Sequence, residues 1–264
     1  MRLSRLAKIL LTTQFFISAN SARLISPVND QKNILSENFA IFTPKTIILD
    51  PGHGGKDTGY KDRHTNTPEK EINLNIAKYL KLLLEEQGYK VIMTRTTDSE
   101  VNIRKVDYDG NGKVNIHDEL PARKDMIKNL GADYFISLHN NADKFSRWTN
   151  GLEIWTYGYR HKKEITNRKA DYHTPERSRY KNEEAFKFGK NIEKTFSKAG
   201  FKTKIACGDF GILENNPIQK AIIIEYGYLT NKDDRKRMES PDFQKYCAEI
   251  TAKYFKENET PWKD

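Results

Sequence analysis

One stretch, residues 45–59 (KTIILDPGHGGKDTG), constrains the fold of this chain more than any other. Its apolar run 47–49 leads into Asp50-Pro51 and then into a segment rich in glycine. This pattern predicts a buried strand that continues into a loop. Open α/β sheets place their sites at the carboxyl ends of strands, so His53 in this loop is the first candidate ligand or catalyst. The alternative is a solvated turn residue.

Helical and strand patterns alternate after this stretch. Thr67 and Pro68 are typical of an N-cap and a first helical position, so we predict a helix from Glu69 that stops at Gly88. Apolar spacing predicts further helices at 120–130, 182–199 and 241–255, and strands at 90–95, 134–141, 152–157 and 221–229. Helix-length gaps between strands indicate βαβ units with a parallel sheet. A chain of 264 residues needs only one such α/β domain.

Charge and cysteine content exclude few functions. The net charge of +9 suits nucleic acid, an anionic membrane or a cell-wall polymer, and the basic residues are spread along the chain without forming a basic arm. Cys207 and Cys247 lack the spacing of a zinc ribbon, which excludes a structural cysteine–zinc site. One disulfide and two buried free thiols both remain open.

The amino-terminal residues 1–21 have the pattern of a secretory signal peptide: basic residues, an apolar run, and small residues before a cleavage point after Ser21. The alternative is the amphipathic first helix of a cytosolic protein. No later run approaches the ~20 apolar residues that span a bilayer. We therefore expect an exported protein, periplasmic or extracellular, with residues 22–44 as a linker or extended arm.

The basic stretch 158–181 has no apolar period and predicts an exposed insertion. Because it directly follows the strand after His139, we expect it at the mouth of the site. The alternative is a solvated surface loop.

Four residues have the chemistry of a catalytic site: His53, Glu69, His139 and Glu225. His53 and His139 follow or end predicted strands, and Glu69 in a first helical turn can point back to the glycine loop, although an acid there also complements the helix dipole. Glu225 interrupts an apolar strand, where a carboxylate is costly to bury unless it is paired, protonated or facing a metal. Two imidazoles and a carboxylate are typical zinc ligands in hydrolases, and a second carboxylate can act as general base.

Four segments, ILDPGHGGKDTG, EKEINLNIAKYL, GADYFISLHNNAD and IIIEYGYLTN, occur in this order. Together they resemble the motifs of zinc-dependent N-acetylmuramoyl-L-alanine amidases, a class of cell-wall hydrolases. The resemblance covers residues 45–257. It implies a single α/β domain with a mixed, mostly parallel twisted sheet flanked by helices, as in zinc amidases and exopeptidases.

The same resemblance implies zinc (Zn²⁺) held by His53, Glu69 and His139, with Glu225 as the catalytic acid/base. The reaction would be hydrolysis of the amide between N-acetylmuramic acid and L-alanine in peptidoglycan. Some members of the family respond to a protein activator, which is a further candidate partner. We expect no nucleic-acid partner, no membrane span and a monomer. Two alternatives remain: another zinc exopeptidase or hydrolase, and an inactive wall-binding module.

A second metal motif occupies residues 107–118 (DYDGNGKVNIHD), with Gly112 at its sixth position. It resembles the calcium loops of EF-hands and dockerin modules. The implied Ca²⁺ ligands are Asp107, Asp109, Asn111, the carbonyl of Lys113, and Asp118. Because Asp118 replaces the usual glutamate, we expect weak affinity, on the order of 10⁻⁴–10⁻³ M. The alternative is a solvated turn. The predicted organisation is then a catalytic domain at 45–257 that contains this loop, with a polar tail at 258–264.

Overall fold

A computed structural model describes residues 43–61, 64, 67–158 and 182–263, and the statements below concern these residues. Three predictions fall wholly or mostly outside the described residues: the signal peptide at 1–21, the linker at 22–44 and the basic stretch at 158–181. No helix in the described part of the chain combines the length and apolar character that crossing a bilayer requires.

Six strands and five α-helices make up the described fold. The strands are β1 (Thr46–Pro51), β2 (Lys90–Met93), β3 (Tyr134–Asn141), β4 (Leu152–Tyr157), β5 (Thr203–Gly208) and β6 (Lys220–Tyr228). The helices are α1 (Glu69–Glu86), α2 (Glu119–Lys128), α3 (Glu183–Lys198), α4 (Lys232–Met238) and α5 (Pro241–Asn258). A short 3-10 turn, Ile116–Asp118, precedes α2.

The strands form one sheet in the order β2-β1-β3-β6-β4-β5. All neighbouring strands are parallel except β4 and β6, which are antiparallel. The predicted α/β fold with a mixed, mostly parallel sheet flanked by helices is confirmed. The register sets His139 of β3 and Glu153 of β4 on either side of Glu225 in β6. Three residues with ionisable side chains therefore lie side by side on the adjacent strands β3, β6 and β4.

Both faces of the sheet are covered, which explains why its strands read as continuous apolar runs. Ile47 and Leu49 of β1 pack in the cluster formed with α1, α3 and α5. Ile48, between them, packs on the opposite face with Phe135 and with Ile127 of α2. Because β1, β3 and β6 are parallel neighbours, their carboxyl ends lie together at one end of the sheet.

Several element predictions need correction. Thr67 is not the N-cap of α1: Pro68 takes that position with an extended ψ of 149°, and no side chain caps the helix. The predicted strand 90–95 ends at Met93. The sequence analysis missed β5, a partly exposed edge strand of mixed composition, and α4, whose sequence KDDRKRM has almost no apolar period.

The direction of β4 changes the expectation for the basic stretch. Because β4 runs antiparallel to β6, its last residue, Tyr157, lies at the opposite end of the sheet from the carboxyl ends of β1, β3 and β6. Gly158 continues from there and donates its N–H to the carbonyl of Gly208. The stretch therefore does not begin at the mouth of the site, and the reason for placing it there was wrong.

The two cysteines lie on different elements. Cys207 is partly exposed on β5, Cys247 is buried in α5, and no disulfide joins them. Burial raises the pKa of the Cys247 thiol, so this side chain acts as an apolar core residue.

A buried ion pair fixes the end of β1. Asp50 accepts hydrogen bonds from the hydroxyls of Thr94 (2.6 Å) and Ser137 (2.8 Å) and pairs with the guanidinium of Arg123. The second terminal nitrogen of Arg123 donates to the carbonyl of His53 at 2.5 Å. Burial would raise the pKa of Asp50, but Arg123 and the two hydroxyls outweigh it and hold the pKa below its ordinary value.

We expect Arg123→Met to lower the free energy of unfolding by about 3–5 kcal/mol, because it leaves Asp50 buried without its cation. Urea unfolding measures the loss. Lys124→Met is the matched control, since Lys124 makes only a 3.7 Å pair with Glu214 at the surface. In the double variant Asp50→Asn/Arg123→Met the loss should be smaller than the sum of the single losses, and additive losses would contradict the pairing.

The same pair predicts a pH dependence. The pKa of Asp50 is lower in the folded state than in the unfolded state, so its stabilisation is present above the unfolded pKa of ~3.9 and disappears as pH falls through the folded value. Arg123→Met should raise the folded pKa of Asp50 and move acid unfolding to higher pH. An unchanged acid midpoint would contradict this account.

Candidate metal and catalytic site

Three of the predicted site residues converge at the end of the sheet where the carboxyl ends of β1, β3 and β6 lie. His53 Nε2 and His139 Nδ1 each lie 3.1 Å from Glu69 Oε1. The three ligand atoms fall within 4.8 Å of one another, and the two rings meet edge to face with centroids 4.9 Å apart. Residues separated by up to 86 positions in the sequence therefore point their donor atoms at one small volume.

Glycines allow this close approach. A Cβ on Gly52 would lie 2.1 Å from the ring of His139, and a Cβ on Gly59 would lie 2.6 Å from both Glu69 Oε2 and the His53 ring. His53 itself has a φ of 63°, in the left-handed region that non-glycine residues rarely adopt. The loop thus follows a path that only glycine at positions 52 and 59 permits.

Glu69 is held from several directions. It is 4% exposed, its Oε2 accepts the N–H of Tyr60 at 2.8 Å, and its Oε1 accepts the N–H of Asn140 at 3.2 Å and the side chain of Asn73 at 3.3 Å. Burial would raise its pKa, but the hydrogen bonds from His139 and His53 hold the pKa far below its ordinary value. Glu69 is an ionised carboxylate whose position is fixed by its neighbours.

Asp57 is a site residue that the sequence analysis missed. Its Oδ2 lies 2.7 Å from His53 Nδ1, and its Oδ1 accepts the N–H of Gly59 at 3.0 Å. Burial would lower the pKa of His53, but the hydrogen bonds to Asp57 and Glu69 outweigh it and raise the pKa to about 10. Asp57 turns Nε2 of His53 towards Glu69, in the way that a carboxylate bonded to the other ring nitrogen orients a metal-bound histidine. The carboxylate four residues after His53 was the available signal.

Glu225 lies beside this cluster. Its Oε2 is enclosed and has no hydrogen-bond partner among the described residues. Burial, followed by the negative charges of Glu69 and Glu153, raises the pKa of Glu225 well above its ordinary value. A carboxyl group with a raised pKa next to an ionised one is the arrangement that proton-transfer residues need.

Glu153 is a second residue that the sequence analysis missed. It is 2% exposed, and it stands opposite Glu225 across the β4–β6 ladder. Asn141 donates its side-chain N–H to Glu153 Oε2 at 3.2 Å, and Lys204 Nζ lies 3.8 Å from Oε1. An acid within the strand sequence LEIWTY was the available signal.

The donor set of the cluster fits zinc. Two imidazoles and one carboxylate are common ligands of catalytic zinc, and two ligands of a tetrahedral zinc ion stand roughly 3.4 Å apart for bonds of about 2.1 Å. The two distances of 3.1 Å between the nitrogens and Glu69 Oε1 are close to that spacing. An ion in this volume would also offset the burial of the Glu69 charge.

The predicted calcium loop also brings carboxylates together. Oxygen atoms of Asp107, Asp109 and Asp118 lie within 4.8 Å of one another, a grouping that is common among exposed acids without an ion. Gly112 has a φ of 79°, as the sharp turn requires. The carbonyl of Lys113 accepts a hydrogen bond from Asn115 at 3.1 Å.

Known proteins resemble this chain in both sequence and fold. The sequence profile Amidase_3, described as N-acetylmuramoyl-L-alanine amidase, matches residues 47–256. The germination-specific N-acetylmuramoyl-L-alanine amidase of Bacillus subtilis is 29% identical over 221 residues, which cover 82% of each chain. A probable N-acetylmuramoyl-L-alanine amidase, AmiB, of Haemophilus influenzae is 32% identical over 136 residues, 51% of this chain. The match spans only 26% of that longer protein.

A solved structure has the same fold. The CwlD amidase of Clostridioides difficile, solved in complex with the GerS lipoprotein, superposes with a TM-score of 0.65 at 26% sequence identity. The match covers 81% of this chain and all of the CwlD chain.

We expect Asp57→Asn to weaken zinc binding by roughly 10–100-fold, because it removes the carboxylate that orients the ring of His53. Competition with a chromophoric chelator measures the affinity. Asp209→Asn is the control, because Asp209 is exposed and follows β5 at the opposite edge of the sheet. Equal zinc affinities for the wild type and Asp57→Asn would contradict the role of Asp57.

Proposed function

The chain belongs to the Amidase_3 family of N-acetylmuramoyl-L-alanine amidases, and we propose that it hydrolyses the amide bond between N-acetylmuramic acid and L-alanine in peptidoglycan. The observation that carries this proposal is the convergence of His53, Glu69 and His139 beside the partly buried carboxyl group of Glu225. An amidase needs a polarised carbonyl, an activated water and a proton for the leaving nitrogen. This set of residues can serve all three needs.

We propose that His53, Glu69 and His139 hold zinc through Nε2, a carboxylate oxygen and Nδ1. When bound, zinc would polarise the scissile carbonyl and lower the pKa of water at the site to about 7. The protein contributes the positions of the ligands. Asp57 orients His53, while the N–H groups of Tyr60 and Asn140 fix Glu69.

Glu225 is the proposed proton carrier. Its carboxylate accepts a proton from the attacking water as the new carbon–oxygen bond forms. It then donates this proton to the nitrogen of L-alanine as the carbon–nitrogen bond breaks. The products are the free lactyl carboxyl group on the glycan and a stem peptide with a free amino terminus. A raised pKa increases the affinity of the Glu225 carboxylate for the proton of the water, and the protonated group then holds the proton that the leaving nitrogen needs.

Two alternative functions differ from this one in the substrate that the protein would cleave. A zinc exopeptidase would cleave free peptides, and an inactive wall-binding module would cleave nothing. Mass spectrometry of purified peptidoglycan and of free stem peptides, each incubated with the protein, decides among the three. Released stem peptides together with peptide-free glycan support the amidase.

Location and partners are part of the proposal. We propose that residues 1–21 direct export and that the protein works in the periplasm or outside the cell, where its substrate lies. The complex of the C. difficile CwlD amidase with the GerS lipoprotein supports a protein partner for this chain as well. We propose that the chain is otherwise a monomer and does not act on nucleic acid.

We expect Glu225→Gln to bind zinc with wild-type stoichiometry and to lose about 10²–10⁴-fold in turnover, because the amide side chain cannot carry a proton. Elemental analysis and release of stem peptides from peptidoglycan measure the two properties. His139→Gln is the matched variant at the zinc site, which should lose both metal and activity. Near-normal turnover in Glu225→Gln would rule out the proton-transfer role.

We also propose that residues 107–118 bind calcium weakly through Asp107, Asp109, Asn111, the Lys113 carbonyl and Asp118. The loop is followed by α2, which carries Arg123 to Asp50 and to the carbonyl of His53. Ordering of the loop would therefore support the helix that anchors the zinc-site loop. Without a cation, the three neighbouring carboxylates repel one another.

Calcium at about ten times its Kd should stabilise the protein by about 1.4 kcal/mol, which is roughly 3–6 °C in melting temperature. The increase should vanish in Asp107→Ala/Asp109→Ala and persist in Asp209→Ala. Equal melting temperatures of the wild type in 10 mM calcium and in a calcium-selective chelator would reject the site.

A further inference from the structure

The connection between β3 and β4, residues 142–151, presents two large aromatic side chains to solvent. Phe145 is 82% exposed and Trp148 is 87% exposed. Lys144 and Arg147 beside them are exposed as well. One exposed apolar residue is ordinary, but aromatic and basic side chains grouped on one short segment are typical of binding surfaces. We refer to residues 142–151 as the aromatic loop.

The aromatic loop is held in one conformation by its own polar side chains. The carboxylate of Asp143 accepts the N–H groups of Phe145 (2.9 Å) and Ser146 (3.1 Å) and the hydroxyl of Thr149 (2.6 Å). The hydroxyl of Ser146 accepts the N–H groups of Trp148 (3.1 Å) and Thr149 (3.3 Å). Polar groups thus bond within the loop while the aromatic side chains face outward. This preorganisation reduces the entropy lost on binding.

The aromatic loop lies at the same edge of the sheet as the proposed zinc site. It begins directly after β3, the strand that carries His139. Two hydrogen bonds attach it to the segment that follows β6. The N–H of Asp143 donates to the hydroxyl of Thr230 at 3.0 Å, and the side chain of Asn231 donates to the carbonyl of Arg147 at 3.0 Å. The loop is therefore tied to the ends of β3 and β6, the strands that carry His139 and Glu225.

We propose that the aromatic loop binds the glycan strand of polymeric peptidoglycan next to the muramoyl residue being cleaved. This inference rests on the proposed amidase function and adds a polymer-binding surface to it. Phe145 and Trp148 stack on the C–H faces of neighbouring sugar rings. Lys144 and Arg147 face the carboxylates of adjacent stem peptides, which the net charge also attracts; this charge is +9 for the full chain and +6 without Arg2, Arg5 and Lys8 of the predicted signal peptide. The loop would make the enzyme prefer polymer over single muropeptides.

Binding is tested with the full-length chain in an inactive Glu225→Gln background, so that the polymer stays intact. We expect Phe145→Ala/Trp148→Ala to weaken cosedimentation with purified sacculi by roughly tenfold or more. Leu82→Ala is the matched control, because Leu82 is 60% exposed on α1 and should leave binding unchanged. Equal melting temperatures of the variants show that folding is retained. Unchanged sedimentation of the loop variant would overturn the proposal.

Turnover provides a second test in the active protein. The ratio of kcat/KM on sacculi to kcat/KM on a single muropeptide should fall about tenfold in the loop variant. Equal losses on both substrates would overturn the proposal, because the loop would then act on the site itself. Loss of binding to phosphatidylglycerol vesicles with retained sacculus binding would also overturn it in favour of a membrane contact. If the wild type hydrolyses neither substrate, the amidase function fails, whereas the sedimentation result still judges the loop.

Discussion

The geometry of the site depends on the ion pair and the hydrogen bonds made by the buried carboxylate of Asp50. Asp50 stands near the end of β1, and its partners Thr94, Ser137 and Arg123 come from three separate parts of the chain. Arg123 connects this network to the glycine-rich loop, because its second terminal nitrogen donates a hydrogen bond to the carbonyl of His53. A backbone held at both ends in this way can keep His53 in a left-handed conformation, which an unrestrained loop would relax.

The single antiparallel strand divides the surroundings of the site. Because β4 runs against β6, the connection that precedes β4 stays at the edge where β3 and β6 end, while the chain leaves β4 at the opposite edge. Of these two connections, the aromatic loop before β4 is therefore the one that begins at the end of the sheet where His139 and Glu225 lie. The same reversal brings Glu153 opposite Glu225 and so places an additional negative charge beside the proposed proton carrier.

The sequence alone identified site residues that stand out from their neighbours in polarity. It did not identify site residues that resemble their neighbours. His53 among glycines, His139 at the end of an apolar strand and Glu225 inside one each stood out, and the structure brings them together with Glu69. Asp57 looked like any polar loop residue, and its role exists only through the ring of His53. The direction of β4 depends on the end of the sheet from which the chain enters this strand, and no local sequence pattern encodes that.

The carboxylates at this edge show how one small volume separates two roles. Glu69, Glu153 and Glu225 are neighbouring acids with little exposure to water, and several like charges in such a place are not ionised at once without cations. Glu69 receives imidazole and backbone N–H donors, so its pKa is held down. Glu225 lacks them among the described residues and feels the charges of the other two, so its pKa is held up. Environments that push the pKa values of neighbouring acids in opposite directions are the basis on which we propose that Glu69 holds a cation and Glu225 carries a proton. This proposed division follows from the donors around each carboxylate, because the two side chains are chemically identical.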